Sequence, residues 1–136
     1  MIKLVIVGTG GIAHWHAKSF QNIEGIKIVG ACDIDKERVK AFANEYNIEK
    51  TYNSFDDMLE HCEFDAISNA TPDPFHKEIA LKAIKKNKHV FSEKPLAENY
   101  PDAKEMYDAT KDTNLINMVN FTYRNSSGYQ KLAKIV

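Results

Sequence analysis

Gly8-Thr9-Gly10-Gly11-Ile12-Ala13 reads G-x-G-x-x-A directly behind the apolar run Ile2-Lys3-Leu4-Val5-Ile6-Val7. Twenty residues beyond Ala13 an acid, Asp33, closes the next apolar run. These residue types suit a dinucleotide. Glycine at position 8 lets the chain leave a strand in a tight turn, and glycine at position 10 removes the Cβ that would obstruct a pyrophosphate. Alanine at position 13 keeps the next helix close to the sheet. The diphosphate would rest on free main-chain N–H groups around Thr9, Gly11 and Ile12, where the helix dipole favours negative charge. Asp33 would accept the adenosine ribose hydroxyls and repel a 2′-phosphate, which favours NAD over NADP. Ile34 agrees, because no Ser, Thr or Arg stands beside the acid and the nearest arginine, Arg38, falls inside the following helix. Glycine turns of this kind also join strand to helix for structural reasons alone. The strand before, the helix after and the acid beyond favour the ligand.

A second group of candidates lies further on. Glu93-Lys94-Pro95 follows an apolar strand, on the side of a parallel sheet where ligands bind. A lysine there could donate to a substrate hydroxyl or carbonyl oxygen, or be a solvated side chain held by Glu93. Thr71-Pro72 ends the preceding strand, so its peptide would pass close to the cofactor. His76 follows one helical turn on, as a cleft residue or as a capping or packing histidine. Asp73 suits an N-cap and Pro74 a first helical turn. His16 shares a helical stripe with Ile12 and Phe20, which marks a core or groove histidine. Trp15 could pack on the sheet or flank the cofactor. The run Lys82 to Lys88 closes a helix, where cations suit the dipole, and reads as a solvated face.

The elements that must position these groups alternate between Ile/Val-rich runs and longer stretches of helical period. That is the pattern of a parallel sheet covered on both faces, an α/β doubly wound fold. Strands are predicted at 2–7, 26–32, 50–52, 65–69, 88–92 and 115–121, and helices at 11–22, 35–46, 55–61, 75–86 and 100–112. The order 3-2-1-4-5-6 puts the short third strand at an edge. Beyond the sixth strand Tyr129, Leu132, Ala133 and Val136 fall at helical spacing. With 136 residues the chain holds one domain with a real core. Eighteen basic against nineteen acidic side chains give no electrostatic case for nucleic acid or a membrane. Cys32 and Cys62, without C-x-x-C or ligand spacing, read as reduced thiols with no metal site. With no room for a signal peptide and no run of transmembrane length, the chain reads as soluble and cytoplasmic.

Three segments stand in order behind the glycine turn: Asn69-Ala70-Thr71-Pro72-Asp73-Pro74-Phe75-His76, His89-Val90-Phe91-Ser92-Glu93-Lys94-Pro95-Leu96 and Asn120-Phe121-Thr122-Tyr123-Arg124. Together they resemble the N-terminal domain of the Gfo/Idh/MocA oxidoreductases, the family of glucose-fructose oxidoreductase and inositol dehydrogenase. The resemblance covers essentially the whole chain, and its most specific element is Glu93-Lys94-Pro95 after a strand. It implies a Rossmann domain over residues 1–121 that binds NAD or NADP, with residues 122–136 starting the connection to a second, substrate-binding domain. Any homo-oligomer would form through that second domain. The resemblance makes Lys94 the catalytic or substrate-orienting residue. It brings His76, Glu93 and Asn120 near the cofactor, and Asn120 and Arg124 toward the nicotinamide or substrate. The usual proline after the arginine is absent, since Asn125 follows Arg124. The implied function is hydride transfer to or from a sugar, polyol or related hydroxy compound. The chain by itself would be inactive. The alternative is a non-catalytic NAD-binding sensor or scaffold module.

Overall fold

The computed structural model describes residues 1–135, and Val136 lies outside the described residues. The chain runs β1 (Ile2–Val7), α1 (Gly11–Gln21), β2 (Ile26–Cys32), α2 (Lys36–Tyr46), β3 (Thr51–Tyr52), α3 (Phe55–His61) and β4 (Ala66–Asn69). It continues through α4 (His76–Lys85), β5 (His89–Glu93), α5 (Tyr100–Asp108), β6 (Asn117–Asn120) and α6 (Ser127–Leu132). Short 3-10 turns at Asp73–Phe75 and Thr122–Asn125 precede α4 and α6. All six strands are parallel, in the order β3-β2-β1-β4-β5-β6.

The sheet is buried on both faces because successive side chains point to opposite sides. Leu4, Ile6, Ile28 and Ala31 meet Ala13 and Ala17 of α1 and Val39 and Phe42 of α2. Val5, Val7, Ile67 and Val90 meet Phe55 and Met58 of α3, Ala80 and Ala83 of α4, and Met106 of α5. A one-residue slip of any strand would exchange these two sets, so burial fixes the register. Val7 pairs with Cys32 and Asn69, Asn69 with Ser92, and Glu93 with Asn120. The carboxyl ends of five strands therefore finish level, and the loops that leave them share one edge.

Local chemistry trims three sequence-based expectations. The fifth helix stops at Asp108, short of residue 112, because the Thr110 hydroxyl turns back onto the Met106 and Tyr107 carbonyls. The sixth strand is limited to Asn117–Asn120 because the Phe121 N–H folds back onto the Val119 carbonyl. Asp73 does not cap α4. It opens the 3-10 turn instead, the Phe75 N–H donating to the Pro72 carbonyl at 2.9 Å, and the helix begins at His76 with no side-chain cap. Tyr129 and Leu132 lie in α6, both exposed, so the helical stripe expected at the end of the chain covers no core of these residues.

Gly8 controls how β1 reaches its turn. Its φ of +83° belongs to the left-handed region, and a Cβ there would stand 2.7 Å from the Ala70 carbonyl carbon and 2.8 Å from the Thr71 nitrogen. Both obstacles are backbone, so nothing flexible can give way. The Gly8→Ala variant is expected to lose at least the roughly 1–3 kcal/mol of an unfavourable backbone conformation. Chemical denaturation would measure this as a lower midpoint at unchanged slope. Unchanged stability would show that β1 can leave the sheet another way.

Candidate functional site

The turn after β1 ends in an open helix terminus. Gly10 is the N-cap of α1, with extended backbone and no side-chain cap. The first turn of a helix leaves N–H groups without partners inside the helix. Here they face a surface that no side chain of the turn covers. A Cβ at Gly10 or Gly11 would meet nothing within 4 Å, and the backbone of Gly10 (φ −75°, ψ −172°) is open to any residue. The chain's own atoms therefore place no demand for glycine at position 10. Gly8 is thus required by the fold, and Gly10 is not.

Asp33 is buried beside that turn, 9% exposed. Its Oδ2 accepts from the Thr9 N–H at 2.8 Å and the Thr9 hydroxyl at 2.9 Å. Its Oδ1 accepts from the Asp35 N–H at 3.0 Å and the Arg38 guanidinium at 3.1 Å. Burial by itself would push the carboxyl up. The donors from Asp35, Thr9 and Arg38 outweigh it and hold Asp33 below the usual carboxylate range. Thr9, itself buried, thus spends its N–H on Asp33. Arg38 does lie inside α2, yet its half-exposed side chain reaches back over the helix N-terminus to the acid. Sequence spacing does not reveal that contact. Of the four donors, the guanidinium is the one on a long, partly solvated side chain, and the one most readily displaced by a ligand hydroxyl. Ile34 next to it is 86% exposed, and Ile12 is exposed as well. Trp15 is 71% exposed and does not pack on the sheet. Cys32, at the end of β2, is buried. Burial first, then the neighbouring Asp33 charge, pushes its thiol up to about 12.

At the other end of the same edge, Glu93 is buried and Lys94 is exposed. Glu93 Oε1 accepts from His16 Nε2 at 2.8 Å and from Asn120 Nδ2 at 2.6 Å, while Oε2 accepts from the Lys94 main-chain N–H at 3.3 Å. Burial works against the charged carboxyl, but Asn120 and His16 together keep it below its ordinary value. Glu93 therefore holds the Lys94 backbone, not its ammonium. The Lys94 side chain instead borders a hollow of about 460 Å³ walled by Phe121, Tyr123 and Tyr129, with Thr122 and Arg124. The Lys94-Pro95 peptide is cis.

His76 is wholly buried. Its Nδ1 lies 2.7 Å from the Pro95 carbonyl and its Nε2 2.8 Å from the Thr71 carbonyl, so the ring ties the loop after β4 to the loop after β5. Asn69 supports the same loop: its Oδ1 accepts from the Thr71 N–H and hydroxyl, and its Nδ2 donates to the His76 carbonyl. The peptide between Ala70 and Thr71 thus stands against Gly8 with its path fixed from behind. Two supporting residues escaped the sequence reading, Ser68 and Asn69, as did the pairing of His16 with Glu93. The available signal was polar residues, Ser68-Asn69 and Ser92-Glu93, ending otherwise apolar strands, together with one histidine on an apolar helix stripe. Buried polar groups of that kind need partners.

The chain thus brings an open helix N-terminus, a held acid and an exposed lysine to one edge of a parallel sheet. The model of the oxidoreductase family with an NAD-binding Rossmann fold matches residues 2–121. Glucose-6-phosphate 3-dehydrogenase of Bacillus subtilis is 33% identical over 124 residues, which are 91% of this chain and 35% of that protein. The structure of myo-inositol 2-dehydrogenase from Lactobacillus plantarum superposes with a TM-score of 0.91 at 33% identity, covering 98% of this chain and 40% of that one. Scyllo-inositol dehydrogenase from Lactobacillus casei, solved with bound NAD(H) and scyllo-inositol, gives a TM-score of 0.92 at 27% identity over 99% of this chain and 40% of that one. The chain spans 35–40% of the length of these relatives. No described helix is long and apolar enough to cross a membrane. With this architecture, and a family model matched from the first strand to just past the last, the chain belongs to the Gfo/Idh/MocA oxidoreductases, through their NAD-binding Rossmann domain.

Proposed function

We propose that residues 1–121 hold NAD(H) for a dehydrogenase that acts on a sugar, a polyol or a related hydroxy compound. Residues 122–136 would lead into the part of the protein that holds the substrate. The observation that carries the reading is the uncapped N-terminus of α1 with open space at Gly10 and Gly11, beside a carboxylate already fixed in place. Such a terminus offers N–H donors and a favourable dipole to a diphosphate. Asp33 binds ribose hydroxyls without reorganising, because Thr9 and the Asp35 N–H hold it whether or not Arg38 stays. The relatives that bind NAD(H) and inositol support the same assignment.

When bound, the dinucleotide supplies the acceptor or donor of a hydride. The chain's own contribution is position. Lys94 stands free at the carboxyl end of β5, where its ammonium can hold or move the proton of a substrate oxygen while the carbon beneath it exchanges a hydride. The aromatic hollow beside Lys94 gives the substrate side an apolar wall. Asn120 and Glu93 serve the loop from below, since the Asn120 amide is already committed to Glu93.

Three outcomes follow. Fluorescence titration through Trp15 is expected to show NADH bound more tightly than NADPH. Asp33→Ala should weaken NADH more than NADPH, by about tenfold or more, since hydrogen bonds to charged groups are worth roughly 1.5–3 kcal/mol. Equal affinities in the unaltered chain would remove Asp33 as the reader of the ribose. Gly10→Val should abolish NADH binding at an unchanged melting temperature, because the isopropyl group fills space that only a ligand would use. Retained affinity would make the glycine purely structural. Residues 1–136 should bind NADH yet turn over no sugar or polyol above background. In a longer protein that carries this chain and oxidises such a substrate, Lys94→Ala should lower kcat by about 10²-fold or more, as for a lost general acid/base. A fully active variant would take Lys94 out of the chemistry.

A further inference from the structure

His16 is buried, 4% exposed, on the face of α1 that lies against the sheet with Ala13 and Ala17. Its two nitrogens reach two different strands. Nδ1 is 2.7 Å from Ser68 Oγ in β4, and Nε2 is 2.8 Å from Glu93 Oε1 at the end of β5. Asn120, at the end of β6, places its amide on the same Oε1. The ring also stands edge-on to Phe20 and tilted against Phe91, with centroids 6.2 Å and 5.5 Å away, which leaves it little freedom to turn. A carboxylate can only accept, so Nε2 carries the hydrogen, and Nδ1 then accepts the Ser68 hydroxyl. Glu93 thus sets which nitrogen donates, and the Ser68 hydroxyl, able to donate or accept, adapts to the other.

Stability alone does not call for this arrangement. Replacing a buried histidine and carboxylate with well-packed apolar side chains is often neutral or favourable, because each polar group must first be stripped of water. The chain of contacts also leads to a functional place. It ends on the main-chain N–H of Lys94, held by Glu93 Oε2. It begins on α1, the helix whose N-terminus forms the open turn at Gly10 and Gly11. One rigid helix therefore carries the diphosphate end of the cleft and, through one side chain, sets the loop at the nicotinamide end.

We propose that His16 is a positioning residue for the nicotinamide end of the cleft, acting through Glu93 on the backbone of Lys94, with Ser68 holding its other nitrogen. The inference rests on the dinucleotide reading given above. Removing the ring should leave the adenosine end intact, since Thr9, Asp33 and Arg38 share no hydrogen bond with this group.

The test is a set of titrations of the 136-residue chain with NADH and with ADP, which lacks the nicotinamide half. His16→Leu keeps an apolar side chain of similar bulk. It should weaken NADH binding, because the loop that carries Lys94 loses its bracket, while ADP affinity stays within about twofold. His16→Gln, whose amide can still donate to Glu93, should recover most of the loss. The Lys94 amide resonance should move in the leucine variant and return toward its place in the glutamine variant. If the leucine variant melts before it can be titrated, Asn120→Leu removes the other donor to the same oxygen from the edge strand and should give the same NADH-selective loss. Equal losses for NADH and ADP, or none for NADH, would overturn the positioning role while leaving the dinucleotide reading intact. An unaltered chain that binds neither ligand would overturn both.

Discussion

The Cα of Gly8 lies so close to the peptide between Ala70 and Thr71 that a β-carbon would stand 2.7 Å from backbone atoms, and the cleft is built around that approach. It brings the turn after β1 against the loop after β4, and with them the start of α1 against Thr71 and Pro72. The level carboxyl ends of the parallel strands do the rest, setting Asp33 to one side and Glu93, Lys94 and Asn120 to the other. A parallel sheet with both faces covered leaves this edge as the place where loops can vary without disturbing the core.

Two buried carboxylates then divide the labour. Asp33 joins β2 to the glycine turn through Thr9, and Glu93 joins β5 to α1 and β6 through His16 and Asn120. Both are held below their ordinary range against the opposing effect of burial. The donors that surround them must therefore be complete, and losing one would leave a buried charge poorly paired. The difference lies in what remains available. Asp33 has one donor, Arg38, on a half-exposed side chain and can exchange it for a ligand, whereas Glu93 has its acceptors filled from α1, β6 and its own neighbour in the chain. On the proposed reading the first is a ligand group held ready, and the second is a bracket.

The fold was legible in the sequence because strands buried on both faces appear as continuous apolar runs, and all six fall within two residues of the expected spans. Helix ends and the last strand were less so. Thr110 closing α5 and the turn after Val119 trimming β6 are local hydrogen-bonding choices that periodicity does not register. At the proposed site, Gly8, Gly10, Asp33 and Lys94 were singled out by type and spacing. The groups behind them were not. His16 and Glu93 are 77 residues apart and meet only when α1 is laid across the sheet, and Arg38 meets Asp33 only through its side chain's reach along α2. His76 read by position as a cleft residue or as a capping or packing histidine, and its ring is spent on two loop carbonyls.

The central claim is that a dinucleotide lies along this one edge, diphosphate on the start of α1 and nicotinamide toward Lys94. Nitrogen-15 amide spectra of the chain titrated with NADH test it most directly. The account predicts that the largest changes fall on the amides of Gly10, Gly11 and Ile12 and extend to Asp33 at one end and Lys94 at the other. Changes confined to the amino ends of the strands, around Lys3, Lys27 and Lys50, would contradict it.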